Sequence, residues 1–199
     1  MTQAQTQVAA AVSGMKYKVS DTLSDTVSNP EHLRRIGLID AIDFSAVAKK
    51  AKSEAAKRSE QLSDEYLERG ILALKQYYAI AILDPANGHA VSPAVDHFWH
   101  AHMLFSPVYT GHCQQMIGEY MHHVPLDHDD VEQVEKVRRL YAYTISTFDK
   151  VFRRVDRKFW PRSLENAELI CMHFGNSIMY MELQAHRLFE PVEELAVSN

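Results

Sequence analysis

Residues 92–125 read SPAVDHFWHAHMLFSPVYTGHCQQMIGEYMHHVP. Two Ser-Pro steps divide the stretch. Ser92 suits a helix cap and Pro93 the first helical position, so a helix is expected from Pro93 to Phe105. Ser106-Pro107 breaks and restarts the chain, and a second helix is expected from Val108 to His123. Pro125 to Asp130 then reads as a loop. The short break makes the two helices neighbours, so this stretch already argues for packed helices.

The same period continues outward. Ser63 can cap a helix with Asp64 and Glu65 in its first turn. Its apolar positions Leu67, Ile71, Leu74, Tyr78 and Ile82 step by three or four, and Asp84-Pro85 and Asn87-Gly88 stop it. Upstream, Asp40 to Gln61 is rich in Ala, Lys and Glu and is expected to be helical. Downstream, Val131 to Val155 carries a long apolar stripe closed by Pro161, and Ser163 to Phe189 reads as a last helix ended by Pro191. The sum is six helices and no strand pair, an all-α single-domain bundle over residues 30–199. Residues 1–29, rich in Gln, Thr, Ser and Ala, read as a flexible N-terminal arm that Asn29-Pro30 ends.

Composition agrees with this class. The chain has 199 residues, 46% hydrophobic and 24% charged, enough for a sizeable core without disulfides. Only 7 glycines and 7 prolines disfavour a turn-rich all-β fold. A net charge of −5 argues against a general nucleic-acid binder, which must neutralise phosphates. The lysines of residues 49–57 read as a solvated helix face. Arg153, Arg154, Arg157 and Lys158 among Phe152, Phe159 and Trp160 read as a helix end packed by its aromatics. No apolar run approaches the roughly 20 residues that span a membrane, and no basic leader precedes the short apolar run Val8–Val12. With only Cys113 and Cys171, a reducing, cytoplasmic setting is expected. The unusual count is histidine: of 11, eight lie between His89 and His128.

Helical geometry sorts these histidines. Asp96 and His100 are four apart and share a face, where they can grip one metal or form an oriented Asp–His pair. His102, two residues on, points to nearly the opposite side. A regular helix therefore cannot place His100 and His102 on one ion. In the next helix Tyr109, His112, Met116, Glu119 and His123 form one stripe, with Cys113 on its flank. Glu119 and His122 have the Glu-x-x-His spacing of carboxylate-bridged metal bundles. The expected metal ligands are Asp96, His100, Glu119, His122 and His123, a donor set suited to Fe, Zn or Cu. Read singly, His89, His97 and His128 are ordinary core or surface residues, and Glu182 with His186 is an ordinary helix pair.

The stretch also resembles a known family. A proline, then Asp-x-x-Trp-His-x-His, a Leu, a Tyr, a Cys, a Gly and His-His-x-Pro are matched here by Pro93, Asp96, Trp99, His100, His102, Leu104, Tyr109, Cys113, Gly118, His122, His123 and Pro125. The pattern is similar to the glycine-rich domain-containing protein-like family, a domain of unknown function, over about residues 66–126. This chain has no glycine-rich segment, and Leu126-Asp127 stands where an aromatic-Gly ending is common. The resemblance implies no reaction. It implies that Asp96, Trp99, His100, His102, Tyr109 and Cys113 matter together.

Three functions compete. The first is a metal-dependent enzyme acting on a small molecule or peptide. His102 would serve as further ligand or general acid/base, and Tyr109 and Cys113 would line the pocket. The second is a non-catalytic protein-interaction module whose histidine cluster is structural. The third is a metal-free site with Cys113 activated by a histidine. No membrane or nucleic-acid partner is expected, and the sequence does not set the oligomeric state.

Overall fold

The computed structural model describes residues 17–118, 120–164, 170–173 and 185–195. Six α-helices carry the fold among these residues: α1 Pro30–Ala41, α2 Ser45–Lys57, α3 Asp64–Leu83, α4 Pro93–Met103, α5 Ser106–Met116 and α6 Val131–Val151. The all-α class stands. Three short extended segments are added to it, β1 His89–Val91, β2 His122–Val124 and β3 Ile170–His173, paired antiparallel in the order β1-β3-β2.

Local chemistry sets the starts. Ser92 Oγ accepts from the Val95 amide at 3.3 Å with Pro93 in the first turn, as its sequence suggests. Ser63 caps α3 through the Tyr66 amide, and Asp130 caps α6 through the amides of Glu132 and Gln133. α3 is the hub. Leu67, Ile71, Leu74, Tyr77, Tyr78, Ile80, Ile82 and Leu83 are all buried, so the helix is covered on every side over its second half. α1, α2 and α4 pack on it, and α5 packs on α1 and α4. At Gly70 of α3 the Phe98 side chain of α4 leaves no room for a side chain: a Cβ there would lie 2.1 Å from Phe98 Cζ.

Several boundaries differ from the sequence expectations. Asn29-Pro30 opens α1 rather than only ending an arm, with the Asn29 side chain accepting from the Glu31 amide. The expected arm 1–29 is shortened from its far end. Val19, Leu23 and Val27 are buried, Leu23 bridges to Phe152, and the Val19 and Ser20 amides donate to Asp40. Residues 1–16 lie outside the described part. The expected helix Asp40–Gln61 is cut at 42–44, because Asp43 binds the Ser45 amide and hydroxyl, a turn that competes with the helix, while Phe44 drops into the core. The expected helix Val108–His123 starts two residues early and ends at Met116. Gly118 has φ 96°, and its amide reaches back to the Cys113 carbonyl, a left-handed stop that only glycine adopts readily. His122 and His123 therefore lie on β2, not on a helix. α6 ends at Val151 rather than Val155. The expected last helix Ser163–Phe189 is contradicted at Ile170–His173, which is extended and pairs with β1 and β2. The Glu182 of the Glu182–His186 pair lies outside the described residues.

A polar corner closes the end of α3. Asp84, Asn87 and His89 are fully buried. Asp84 accepts from Asn87 and from the Tyr143 hydroxyl, each at 2.7 Å, and lies 3.2 Å from His89 Nε2. The Asn87 amide also donates to the Glu190 carbonyl and accepts from the Val192 amide, holding residues 188–195 beside α3.

Candidate metal centre

α4 presents two histidines to two different environments. On one side, Asp96 and His100 stand one turn apart, as their spacing requires. β2 brings His123 onto them. His123 Nε2 is 2.9 Å from His100 Nε2 and 3.1 Å from Asp96 Oδ1, and His100 Nε2 is 3.5 Å from Asp96 Oδ2. One ligand atom from each residue lies within 4.8 Å of the other two. The Asp96 and His123 side chains are 6% and 11% exposed, and that of His100 is 51% exposed. The site is thus floored by protein and open on one side.

Hydrogen counting shows what is unusual here. Two ring N–H groups cannot point at each other across 2.9 Å, so at most one proton sits between the two Nε2 atoms. The two Nε2 atoms and the Asp96 carboxylate therefore converge with at most one proton between the two rings. A cation satisfies all three. Ligand bonds of about 2.0–2.2 Å place neighbouring ligand atoms roughly 2.9 Å apart at right angles and roughly 3.4 Å apart in a tetrahedron. The 2.9 Å between the two nitrogens and the 3.1 Å from His123 Nε2 to Asp96 Oδ1 fall in that range, and the 3.5 Å contact of His100 is to the other carboxylate oxygen, Oδ2. Burial lowers the pKa of His100 below the ordinary histidine value, and Asp96 partly opposes this. The ring is therefore kept neutral, the form that binds metal.

His102, on the other side of α4, is fully buried. Its Nδ1 is 2.8 Å from the Tyr78 hydroxyl and its Nε2 is 2.9 Å from His112 Nδ1. Burial lowers its pKa from 6.5 to about 3, with His112 adding to the effect. A neutral ring has one donor and one acceptor, and its two nitrogens meet the Tyr78 hydroxyl and His112 Nδ1, so donor can pair with acceptor at both. Every lone pair here has its proton.

Between the two sides lie Trp99 and Tyr109, both fully buried. The Trp99 ring lies 4.8 Å from that of His123, and Trp99 Nε1–H donates to the Tyr109 hydroxyl at 2.9 Å. Tyr109 O–H in turn donates to the Met121 carbonyl at 2.5 Å. Burial raises the Tyr109 pKa far above the ordinary tyrosine value and pushes the buried Cys113 thiol up as well.

The expected ligands thus divide. Asp96, His100 and His123 come together. His122 is exposed and packs on the Tyr120 ring instead, and Glu119 lies outside the described residues. His102, expected as a further ligand or general acid/base, and Tyr109 and Cys113, expected to line a pocket, are buried in the core. His97 and His128 are exposed. Sequence reasoning missed the partnership of His102 with Tyr78 and His112. The only available signal was that His102 faces away from His100.

The chain belongs to the UCP032817-like family, whose model matches residues 34–151, more than half of its length. This corrects the resemblance to the glycine-rich domain-containing proteins, since no family of that kind is found. No curated protein matches the chain. No solved structure matches it. No helix among the described residues is long and apolar enough to cross a membrane.

Proposed function

We propose that Asp96, His100 and His123 bind one transition-metal ion and that the protein is a metal-dependent enzyme acting on a small molecule or peptide. One observation carries the reading: the convergence of two imidazole nitrogens and a carboxylate on one point beside a half-exposed histidine. Structural metal sites are usually closed by four protein ligands, whereas catalytic sites keep a position open. Three protein ligands with an open side fit the second pattern. The mixed N/O set suits Zn, Fe or Cu better than Ca or Mg. When bound, the ion supplies Lewis acidity or an activated water at the open side. Asp96, almost buried, would fix the charge of the site, and the Trp99 ring would hold the His123 imidazole in place.

Metal analysis of protein purified without chelator, beside His100→Ala and His123→Ala, tests this. Wild type should carry one ion per chain and both variants should lose it. At a metal concentration about 100 times Kd, binding adds about 2.7 kcal/mol. For a chain of this size a chelator should therefore lower Tm by roughly 5–10 °C. It should leave the variants unchanged. No stoichiometric metal, together with a chelator-insensitive Tm, would overturn the reading.

A further inference from the structure

We propose that Tyr109 is the positioning residue of this centre. Its hydroxyl, on α5, is a strut that ties together the two pieces of chain that build the site, an inference that rests on the metal reading above. α4 supplies Asp96 and His100, and β2 supplies His123. Gly118 ends α5 before the chain reaches β2, so helix continuity does not place His123. Pairing of His123 with Met172 of β3 sets its strand register, and a direct tie from β2 to α4 is still needed to set its distance from Asp96 and His100. The Tyr109 hydroxyl accepts from Trp99 Nε1–H, one residue before His100, and donates to the carbonyl of Met121, two residues before His123. Trp99 closes the figure by packing its ring on the His123 imidazole at 4.8 Å.

The strut is dry and rigid. Trp99, Tyr109 and Met121 are all fully buried, so the Trp99 N–H and the Met121 carbonyl have no water to turn to if the hydroxyl is removed. The Tyr109 ring is held independently by edge contacts with the rings of His102 and Tyr120, at 5.0 and 5.2 Å. Tyr109→Phe therefore keeps the packing and deletes the tie, together with the hydroxyl's contact to the Cys113 thiol. His123 then keeps its pairing to β3 but loses its direct tie to α4, while Asp96 and His100 stay together on their helix. The hydroxyl acts through Trp99 and Met121 on the ligand and touches no reacting atom.

The test uses Co(II) added to the metal-free full-length chain, read by its visible absorption and by titration. Tyr109→Phe should bind roughly 10–100-fold more weakly, the usual cost of losing a group that orients a ligand. Its Co(II) bands should weaken as one protein ligand gives way to water. Trp99→Phe, which keeps a ring on His123 but lacks the N–H, should weaken binding in the same direction and less. Tyr141→Phe is the control: it deletes another largely buried hydroxyl, bonded to the Pro161 carbonyl at 2.7 Å. It should lower Tm and leave Co(II) affinity and spectrum unchanged. Should Tyr109→Phe fail to fold, Trp99→Phe decides. Wild type that binds no Co(II) sinks the metal reading and this inference with it. Wild type that binds, beside Tyr109 and Trp99 variants with unaltered affinity and bands, sinks the role of Tyr109 alone.

Discussion

His100 and His102 are two residues apart on one helix, yet they occupy opposite regimes. Around His102 each lone pair meets a proton, water is excluded, and the ring is held neutral with its pKa near 3. Around His100 two imidazole nitrogens and a carboxylate converge at an open surface with at most one proton between the rings. The first arrangement is complete without any addition. The second is completed by a cation. Histidine density alone does not separate the two; the number of protons available to the converging atoms does.

The largest expected effect divides the two residues by stability. His102→Ala removes a fully buried ring and strands the Tyr78 hydroxyl, so it should cost about 2–5 kcal/mol in urea denaturation of metal-free protein. Equal losses from His102→Ala and His100→Ala would break the contrast. Next comes the inward face of α4 itself. Gly70→Ala drives a methyl into the Phe98 ring and should cost about 1–3 kcal/mol, although alanine is the better helix former.

Acid sharpens the comparison further. His102 has a folded pKa lowered from 6.5 to about 3, so below 6.5 the unfolded chain takes up a proton that the folded chain refuses. Stability should therefore fall as the pH drops from 6.5 towards 3, with a limiting slope of about 1.4 kcal/mol per pH unit from this group. Above 6.5 the contribution is constant. Comparing the slopes of wild type and His102→Asn isolates it, and identical slopes would show that His102 is not held neutral. The smallest effect is expected at the open side. His100→Ala should change the stability of metal-free protein by no more than about 0.5 kcal/mol, as for an ordinary surface site. Its cost should appear only when metal is added.

Much of this was legible in the chain. The caps Ser63 and Ser92 start helices as their residue types require. The i, i+4 pair Asp96–His100 and the opposite heading of His102 follow from 100° per residue. What local pattern could not supply were decisions made by single residues. Gly118 read as one more residue of a helix, yet it ends α5 and sends His122 and His123 into an extended segment. In a helix those neighbours would point 100° apart. In a strand they point to opposite faces, so one becomes a ligand and the other a surface residue. Asp43 likewise broke a helix of high propensity by offering its neighbours better hydrogen bonds. Tyr78 could not be named as the partner of His102, since the pair is joined only by packing of α3 on α4.

The Asn87 amide has a bearing on the order in which the chain folds. Its bonds to the Glu190 carbonyl and the Val192 amide span 103 and 105 residues, and the Gly88 amide meets the Leu195 carbonyl over a similar reach. Contacts so distant must wait for a large loop to close, whereas α3 and α4 are sequence neighbours and can pair early. Asp84, Asn87 and His89 thus stay partly hydrated until residues 188–195 dock. Amides in that corner should gain hydrogen-exchange protection after those in the middle of α3, so one helix carries both an early and a late signal in a single refolding trace.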